Sequence, residues 1–429
     1  MSPLMIVSII LVLTIAAFIS GKLPYTVIAI GILSTLILTG IMTMTEAFSA
    51  LTNKNVIMLA AMFVISAGIV KSGLLDGVKK LVSRYQDKPR YVVLMLMVVA
   101  TLLSILSSAV GTMAILLPLI ISIANDLKVS KSKLIFPIAC VANIATACTF
   151  LGQGSANMSW SDVMVNLGGK IPFTIWDFTI ARIPVILVAI IYGIIVAPRL
   201  LPDIPDSEFD NSAYNDSPQQ KKTDQGKAVL ARIICLVTIA AMLILDYFGI
   251  VPMYLCACIG AALLIATGVL TENEALSSIH GPTMFLFIGV LPLSDALNIT
   301  GAANVVAEKM QILLGNTTNP YLIMAVFFLV PLLMTQIMSN IAAVAVFVPL
   351  VASVAVAIGV DPRAAVMGVQ IASCTSILTP MSCACQAMIM APGGYKLKDY
   401  LKCGLPLAIL ILVLSVIYLP IMFPFYPNS

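Results

Sequence analysis

The chain has 429 residues, of which 60% are hydrophobic and 10% are charged, and its net charge is +4. Soluble globular domains contain about 45–50% apolar and about 25% charged residues, so this composition excludes most soluble folds. A net charge this small and a single histidine give no indication of a nucleic-acid partner or of histidine-based metal chemistry. We therefore expect an all-α polytopic membrane protein.

Ten apolar runs approach the roughly 20 residues that a helix needs to cross a bilayer core. In chain order they cover residues 4–20, 24–41, 55–73, 133–151, 176–198, 228–248, 250–270, 282–299, 363–379 and 398–424. Two longer stretches, 91–126 and 320–358, are interrupted by Ser107-Ser108 and by Ser339-Asn340. Each of these is either a pair of spans or a hairpin that enters the membrane and returns.

The distribution of basic residues predicts the orientation, because loops rich in Lys and Arg stay cytoplasmic. With the N-terminus outside and both long stretches re-entrant, 17 of the 23 basic residues lie on the cytoplasmic side. The sequence thus predicts a multi-pass protein of the cell membrane with both termini outside. Residues 71–90 and 302–315 have the mixed charge of interfacial amphipathic helices.

An internal repeat relates the two halves of the chain. Four residues of the first half have a counterpart in the second half, in the same order and at nearly the same distance along the chain. The pairs are Ser108 with Ser339, Pro118 with Pro349, Asn157 with Gln386, and Pro184 with Pro406. Each half contains five predicted crossings, and an odd number inverts the second copy. Inverted repeats place a substrate site where discontinuous helices of both halves meet.

The two interruptions supply the first candidate site residues. A serine directly before a helical run can cap that helix, whose free N–H groups then attract an anion. The alternative is that the small and polar residues at each tip only pack or hydrogen-bond against a neighbouring helix and bind no ligand. The candidates for substrate binding at these tips are Ser107, Ser108, Thr112, Ser339 and Asn340.

Two spans carry glycine or polar residues where a helix is weakest, at 149–157 and 379–386. Irregular backbone at membrane depth is tolerated only where it is buried or lines a cavity. Unwound carbonyls with Ser and Asn oxygens suit Na⁺, although an ordinary Pro or Gly kink would explain a single break. These spans add Asn157 and Gln386 as substrate candidates and Gly152, Gln153, Ser382 and Cys383 as ion candidates, beside Ser108, Ser339 and Asn340.

Asp295 lies deep in its span and is a candidate site for a coupling proton. The alternative is that its side chain only extends towards the membrane interface. Cys383 and Cys385 lack companion ligands for a metal and are interpreted as small apolar residues. The sequence contains no nucleophile with a paired base, no phosphate-binding loop and no redox motif. We therefore expect no enzyme and no cofactor.

Three segments, 55–76, 285–301 and 395–407, resemble the divalent anion/sodium symporter family, the di- and tricarboxylate carriers of the ion transporter superfamily. The family's Ser-Asn-Thr tip motifs fall on residues 108–110 and 339–341, where Ala109 replaces an asparagine and Val110 and Ile341 replace threonines. Its Pro-Pro-Asn stretches fall on residues 155–157 and 384–386. Thr112 or Gln153 is a candidate to replace the lost polar groups.

This resemblance implies a homodimer that carries a small organic anion, a di- or tricarboxylate, together with Na⁺. The tips would hold the carboxylates, and one Na⁺ would lie between each tip and the neighbouring broken span. A transport unit, residues 91–201 and 320–429, would slide as an elevator across a scaffold, residues 1–90 and 228–319. The polar segment 202–227 is the predicted cytoplasmic linker.

Alternative functions stay open at this point. Proton coupling or anion exchange competes with Na⁺ symport, and sulfate or another inorganic anion competes with a carboxylate. A non-transporting sensor or a membrane subunit of a larger complex is the alternative from a different class. Because no Lys or Arg lies in the tips, we expect helix dipoles and a co-bound cation to neutralise the anion.

Overall fold

A computed structural model describes most of the chain, and its described residues are helical with short connections. They are residues 2–20, 22–72, 89–106, 108–127, 129–203, 225–248, 250–279, 281–301, 319–380, 382–390 and 392–426, and no strand occurs among them. The prediction of an all-α fold is confirmed. The predicted interfacial helices and most of the predicted linker lie outside the described residues.

Helices of seven residues or more are numbered here in chain order. The first half contains α1 (Pro3–Ser20), α2 (Tyr25–Leu38), α3 (Lys54–Lys71), α4 (Pro89–Leu106), α5 (Ala109–Leu127), α6 (Lys131–Ala145), α7 (Asn157–Asn166) and α8 (Asp177–Ile195). The second half contains α9 (Gln225–Tyr247), α10 (Met253–Ala266), α11 (Glu272–Ser278), α12 (Gly281–Ile299), α13 (Pro320–Met334), α14 (Asn340–Ala357), α15 (Arg363–Cys374), α16 (Ala384–Met390) and α17 (Leu397–Met422).

Each of the ten predicted spans contains a helix. Two of these helices end early: α6 stops at Ala145 and α15 stops at Cys374, although apolar sequence continues beyond both. These ends lie four and five residues before the breaks predicted at 149–157 and 379–386. The broken spans therefore follow from polar and glycine residues that interrupt helix formation locally, rather than from a loss of hydrophobicity.

The outer surface of the helices fits a bilayer. Among the described residues, α8, α14 and α17 are long and apolar enough to cross a membrane. On α17 a stripe of large apolar side chains is exposed at every fourth position: Leu401, Leu405, Ile409, Val413, Ile417 and Ile421. In water such a continuous stripe would promote aggregation, whereas in a bilayer it contacts lipid.

The packing of the helices recurs in the two halves. Helix α2 packs along α12, and its counterpart α10 packs along α3. Helices α4 and α5 pack on α6 as α13 and α14 pack on α15. Helix α14 contacts α7, and α5 contacts α16. These matching contacts support the repeat, while its inversion and the division into scaffold and transport unit stay predictions.

Charged residues join helix ends that the predicted topology places on one side. Lys71 Nζ lies 2.6 Å from Glu274 Oε1, and Lys133 Nζ lies 2.6 Å from Asp203 Oδ2. Both pairs belong to the predicted cytoplasmic side. Because the contacts hold equally for a molecule inserted the other way up, the orientation stays a prediction.

The pair between Lys71 and Glu274 predicts a small pH effect on stability. The hydrogen bond from Lys71 lowers the pKa of Glu274 to about 2. Since the pKa is lowered in the folded protein, the stabilisation is present above the unfolded value of about 4.3 and is lost as pH falls towards 2. Both side chains are partly exposed, so we expect less than about 1 kcal/mol.

Melting of the wild type and of Glu274→Gln in detergent at pH values from about 6 to about 2 checks this expectation. The wild type should melt slightly higher near pH 6, and the difference should narrow below about pH 4 and be smallest near pH 2. Glu272→Gln on the same helix leaves the Lys71 pair intact and serves as the control. A difference that persists at the acid end would contradict the prediction.

Candidate functional site

A serine caps the helix that follows each interruption. Ser108 Oγ accepts a hydrogen bond from the backbone N–H of Gly111 at 3.0 Å, and Ser339 Oγ accepts one from Ala342 at 3.3 Å. Helices α5 and α14 therefore begin at the two tips, each with its positive dipole end there. Ser107 lies outside the described residues.

The first broken span is held open by side-chain hydrogen bonds to its own backbone. Between α6 and α7 the chain is irregular and then forms a 3₁₀ turn, Gly152–Ala156. Ala147 adopts a φ of +62°, which is rare for a residue with a Cβ. Asn157 Nδ2 donates to the carbonyls of Ala147 at 2.9 Å and Thr149 at 3.3 Å. The amide of Asn157 thus fixes the shape of this loop.

Asn143 connects the second tip with the second broken span. Its Nδ2 donates to the carbonyl of Cys374 at 3.0 Å and to Ser376 Oγ at 2.8 Å. Its Oδ1 accepts from Asn340 Nδ2 at 3.2 Å and from Cys383 Sγ at 3.5 Å. Sequence reasoning missed Asn143, although an amide inside the apolar run of α6 was a signal for it.

We expect Asn143→Ala to destabilise the protein strongly. The change leaves the buried carbonyl of Cys374 and the amide of Asn340 each without one partner, and such losses cost about 1–3 kcal/mol apiece. The melting temperature in detergent should fall more than for Asn319→Ala, which removes the cap of α13 at Tyr321 N. Equal losses from the two variants would contradict a central role for Asn143.

A cavity of about 70 Å³ lies beside this polar cluster. The first break supplies part of its wall with Thr146, Ala147, Ala156, Asn157 and Trp160. The rest comes from Asn340, Ile341 and Val344 of α14, Gln370 and Cys374 of α15, Arg182 of α8, and Leu59 and Phe63 of α3. A larger groove of about 340 Å³ between α3, α10 and α12 has no charged or amide group in its lining. The smaller cavity is therefore the candidate site.

Arg182 is the charged residue in the wall of this cavity. Its side chain is 1% exposed, and it donates from Nη1 to the carbonyl of Thr146 at 2.8 Å and from Nη2 to that of Gln370 at 3.2 Å. Within the described part of the chain, no carboxylate forms an ion pair with it. The sequence showed Arg182 inside a span but gave no reason to place it at the site, since its neighbours come from distant segments.

Two predicted substrate residues line the cavity, and others lie next to it. Asn157 and Asn340 are part of the wall. Ser339 caps α14 at the same end. Ser382 belongs to the second break, where its Oγ donates to the carbonyls of Thr379 at 2.6 Å and Ser376 at 3.1 Å. Cys383 contacts Asn143 there, and Gly152 lies in the 3₁₀ turn of the first break.

Other predicted residues are absent from the cavity wall. Thr112 accepts a hydrogen bond from Ser104 Oγ at 3.1 Å, and Ser108 stays at the first tip. Gln386 is fully buried, with its Nε2 at 3.9 Å from Cys140 Sγ. Asp295 accepts from Asn166 Nδ2 at 2.8 Å, where α12 meets α7. The side chain of Gln153 lies outside the described atoms.

Comparison with known sequences gives a family match over most of the chain. Residues 15–370 match the family model CitMHS, described as citrate transporter. YfbS of Escherichia coli (strain K12), named as an uncharacterized transporter, is 28% identical over 193 residues, 45% of this chain and 31% of YfbS. Sodium/sulfate cotransporter 2 of Chlamydomonas reinhardtii is 19% identical over 216 residues, 50% of this chain and 23% of that protein. The chain thus spans a third or less of the length of these relatives.

Comparison with solved structures gives a neighbour of similar fold. The structure of MtrF from Neisseria gonorrhoeae, described as illuminating a class of antimetabolite efflux pumps, has a TM-score of 0.67 and 16% sequence identity. The match covers 99% of this chain and 95% of MtrF. At this identity the likeness shows the fold alone.

Proposed function

The chain belongs to the citrate transporter family, and we propose that it is a secondary active transporter of a small carboxylate across the cell membrane. The observation that carries this proposal is the cavity in which the first break, the second tip and the buried guanidinium of Arg182 meet. Helix N-termini and a fixed cation both favour an anion. Di- and tricarboxylates are the substrates that the family resemblance implies.

Na⁺ is the coupling ion that we propose. At the second break the carbonyls of Ser376 and Thr379 converge on the hydroxyl of Ser382, and the carbonyl of Ser376 also accepts from Asn143. Carbonyl and hydroxyl oxygens at unwound helices are typical Na⁺ ligands in secondary transporters. Coupling to Na⁺ would supply a second positive charge near the anion.

An elevator movement and a homodimer complete this proposal. Helix α7, in the proposed transport unit, has polar contacts to two scaffold segments. Asn53 Nδ2 lies 3.2 Å from Asp162 Oδ2, and Asn166 Nδ2 lies 2.8 Å from Asp295 Oδ1. Sliding of α7 past the scaffold would exchange both contacts, which are weak enough to break and reform. The homodimer rests on the family resemblance.

Sulfate is the second candidate substrate, because one relative is named as a sodium/sulfate cotransporter. Sulfate and a carboxylate share the negative charge that the cavity favours. They differ in shape and in the absence of a carbon skeleton, so direct competition separates them.

Uptake into proteoliposomes tests the function. Purified protein is reconstituted, and uptake of radiolabelled succinate, citrate, butyrate and sulfate is measured under a Na⁺ gradient, under a proton gradient and in exchange mode. Uptake of a carboxylate that depends on the Na⁺ gradient supports the proposal. Absence of uptake of every anion in all three modes overturns it, and sulfate uptake alone favours the second candidate.

We expect Asp295→Asn to retain Na⁺-driven uptake. The introduced amide keeps an oxygen that can accept from Asn166, while the titratable group is lost. Uptake under Na⁺ and proton gradients in parallel is the measurement, with Asp162→Asn on the facing helix as the control. Selective loss of proton-driven uptake in Asp295→Asn would instead identify Asp295 as the proton site.

A further inference from the structure

Two buried donors without partners lie in the wall of the candidate cavity. Arg182 is 1% exposed and Gln370 is 2% exposed, and neither Arg182 Nε nor Gln370 Nε2 has a hydrogen-bond partner among the residues that the structure describes. Buried polar groups in native proteins are nearly always satisfied, so each exception requires an explanation. Both residues line the same cavity, and Arg182 Nη2 donates to the backbone carbonyl of Gln370. The two residues are therefore in direct contact.

The buried charge of Arg182 is a second, independent indication that the cavity binds an anion. A guanidinium keeps its proton in proteins and has five N–H groups, of which two donate here to carbonyls. A buried charge without a counter-ion is strongly unfavourable. Among the described residues, the ion pairs involve other side chains. An anion in the cavity would supply both the missing charge and the missing acceptors.

The N-terminus of α14 points to the same location. This helix has 18 residues, and Asn340 and Ile341 of its first turn line the cavity. Its positive end thus faces the space beside Arg182. The guanidinium, the amide of Gln370 and this helix end favour a negative group there.

We propose that Arg182 binds the carboxylate of the substrate, with Gln370 as a second donor, and that the substrate is an organic acid with a single carboxylate and an apolar body. This inference rests on the proposed transport function and narrows its substrate class. Its carboxylate would accept from the free N–H groups of Arg182, whose planar fork matches a carboxylate.

The remainder of the wall determines the class of the acid. The wall also contains Leu59, Phe63 and Val344, which offer no partner to a second carboxylate. The proposed Na⁺ ligands Ser376, Thr379 and Ser382 are not among the residues of this wall, so Arg182 is the positive charge that the wall itself supplies. A second carboxylate against the apolar side chains would lose its hydration without compensation. A cavity of 70 Å³ has room for several water-sized groups, which a short monocarboxylate fills.

Binding measurements on the purified full-length protein test this inference. The probes are butyrate, benzoate, succinate, citrate and sulfate, with butyramide as a neutral analogue of butyrate, and each is titrated by calorimetry with and without Na⁺. The variants are Arg182→Gln, Arg182→Lys and Gln370→Leu. Arg232→Gln is the matched control, because Arg232 also lies in a span but donates to the carbonyl of Ser72 away from the cavity.

We expect the wild type to bind butyrate more tightly than succinate, citrate and butyramide, and more tightly than benzoate, because benzene alone fills a cavity of about 150 Å³. Arg182→Gln should weaken binding of the monocarboxylate by at least about 30-fold, which corresponds to about 2 kcal/mol. Arg182→Lys should retain part of the affinity for the monocarboxylate. Gln370→Leu should bind it about three- to tenfold more weakly, and Arg232→Gln should bind it as tightly as the wild type does. If Arg182→Gln does not fold, the Arg182→Lys and Gln370→Leu variants decide the result.

Preference of the wild type for succinate, citrate or sulfate over the monocarboxylates overturns the inference, as does unchanged affinity in the Arg182 and Gln370 variants. A preference for succinate or citrate, or unchanged affinity in the variants, leaves the proposed transport of a carboxylate intact, whereas a preference for sulfate favours the second candidate substrate. Failure of the wild type to take up any anion in proteoliposomes overturns the proposed function instead. The two failures are thus separated by the wild-type uptake assay.

Discussion

Transport should stop when helix α7 is cross-linked to α12. Replacing Asn166 and Asp295 together by cysteine puts two thiols where side chains now meet at 2.8 Å. If the transport unit slides as an elevator, a bridge between these helices holds it in one position. Uptake into proteoliposomes should fall to background after treatment with Hg²⁺ and should return after addition of excess dithiothreitol.

A second cysteine pair controls for the chemistry. Lys133 lies in α6 of the proposed transport unit, and Asp203, whose Oδ2 is 2.6 Å from Lys133 Nζ, lies in the predicted linker two residues after that unit ends. A bridge at Lys133→Cys with Asp203→Cys does not join the transport unit to the scaffold, so uptake should continue after the same treatment. The native cysteines are buried or partly buried, and the wild type treated with Hg²⁺ measures their reactivity. Full transport by the α7–α12 pair while cross-linked would exclude the elevator.

Gly154→Ala should disrupt the first break and with it the cavity. A Cβ on Gly154 would lie 1.6 Å from the carbonyl oxygen of Thr149, which is backbone and cannot rotate away. The 3₁₀ turn must therefore shift, and the bonds from Asn157 to the loop are lost with it. Forced overpacking lowers the free energy of unfolding by about 1–3 kcal/mol, and we expect a loss at the upper end of this range. We also expect the rate of uptake to fall about tenfold or more.

Melting temperature and uptake, measured on the same preparation, check this expectation. Gly31→Ala is the matched control, because a Cβ at this exposed position of α2 has no neighbour within 4 Å. Alanine is a better helix former than glycine by about 0.5–1 kcal/mol, so the control should be neutral or slightly stabilising. A Gly154→Ala protein with normal melting and normal uptake would show that the loop adapts and that its present shape is not required.

The positions of the ten spans followed from the sequence because hydrophobic length is a local property. The same holds for the breaks, where residues such as Gly152 and Pro380 interrupt apolar runs, and for the serine caps at Ser108 and Ser339. Each of these signals lies within about ten residues of the feature that it predicts. The structure changes only the ends of the helices, for example at α2, which stops at Leu38 shortly before Gly40 with its φ of +69°.

The site was less accessible to sequence reasoning because its contacts join distant segments. Asn143 and Ser376, and Arg182 and Gln370, are paired across the two halves, and no spacing in the sequence indicates either pair. The repeat also led us to treat the two tips as equivalents. Among the described residues of the two tips, those of the second line the cavity and those of the first do not, and the second is the tip that retains an asparagine, whereas the first has Ala109.

The bonds from Asn143 and Arg182 to the opposite half have an evolutionary consequence. An ancestral single copy that paired with itself would have used identical residues on both sides of its two-fold axis. Here the donors lie in the first copy and the carbonyl acceptors of Cys374 and Gln370 in the second. In these two contacts the halves are complementary and not equivalent, since the first supplies the side-chain donor and the second the backbone acceptor.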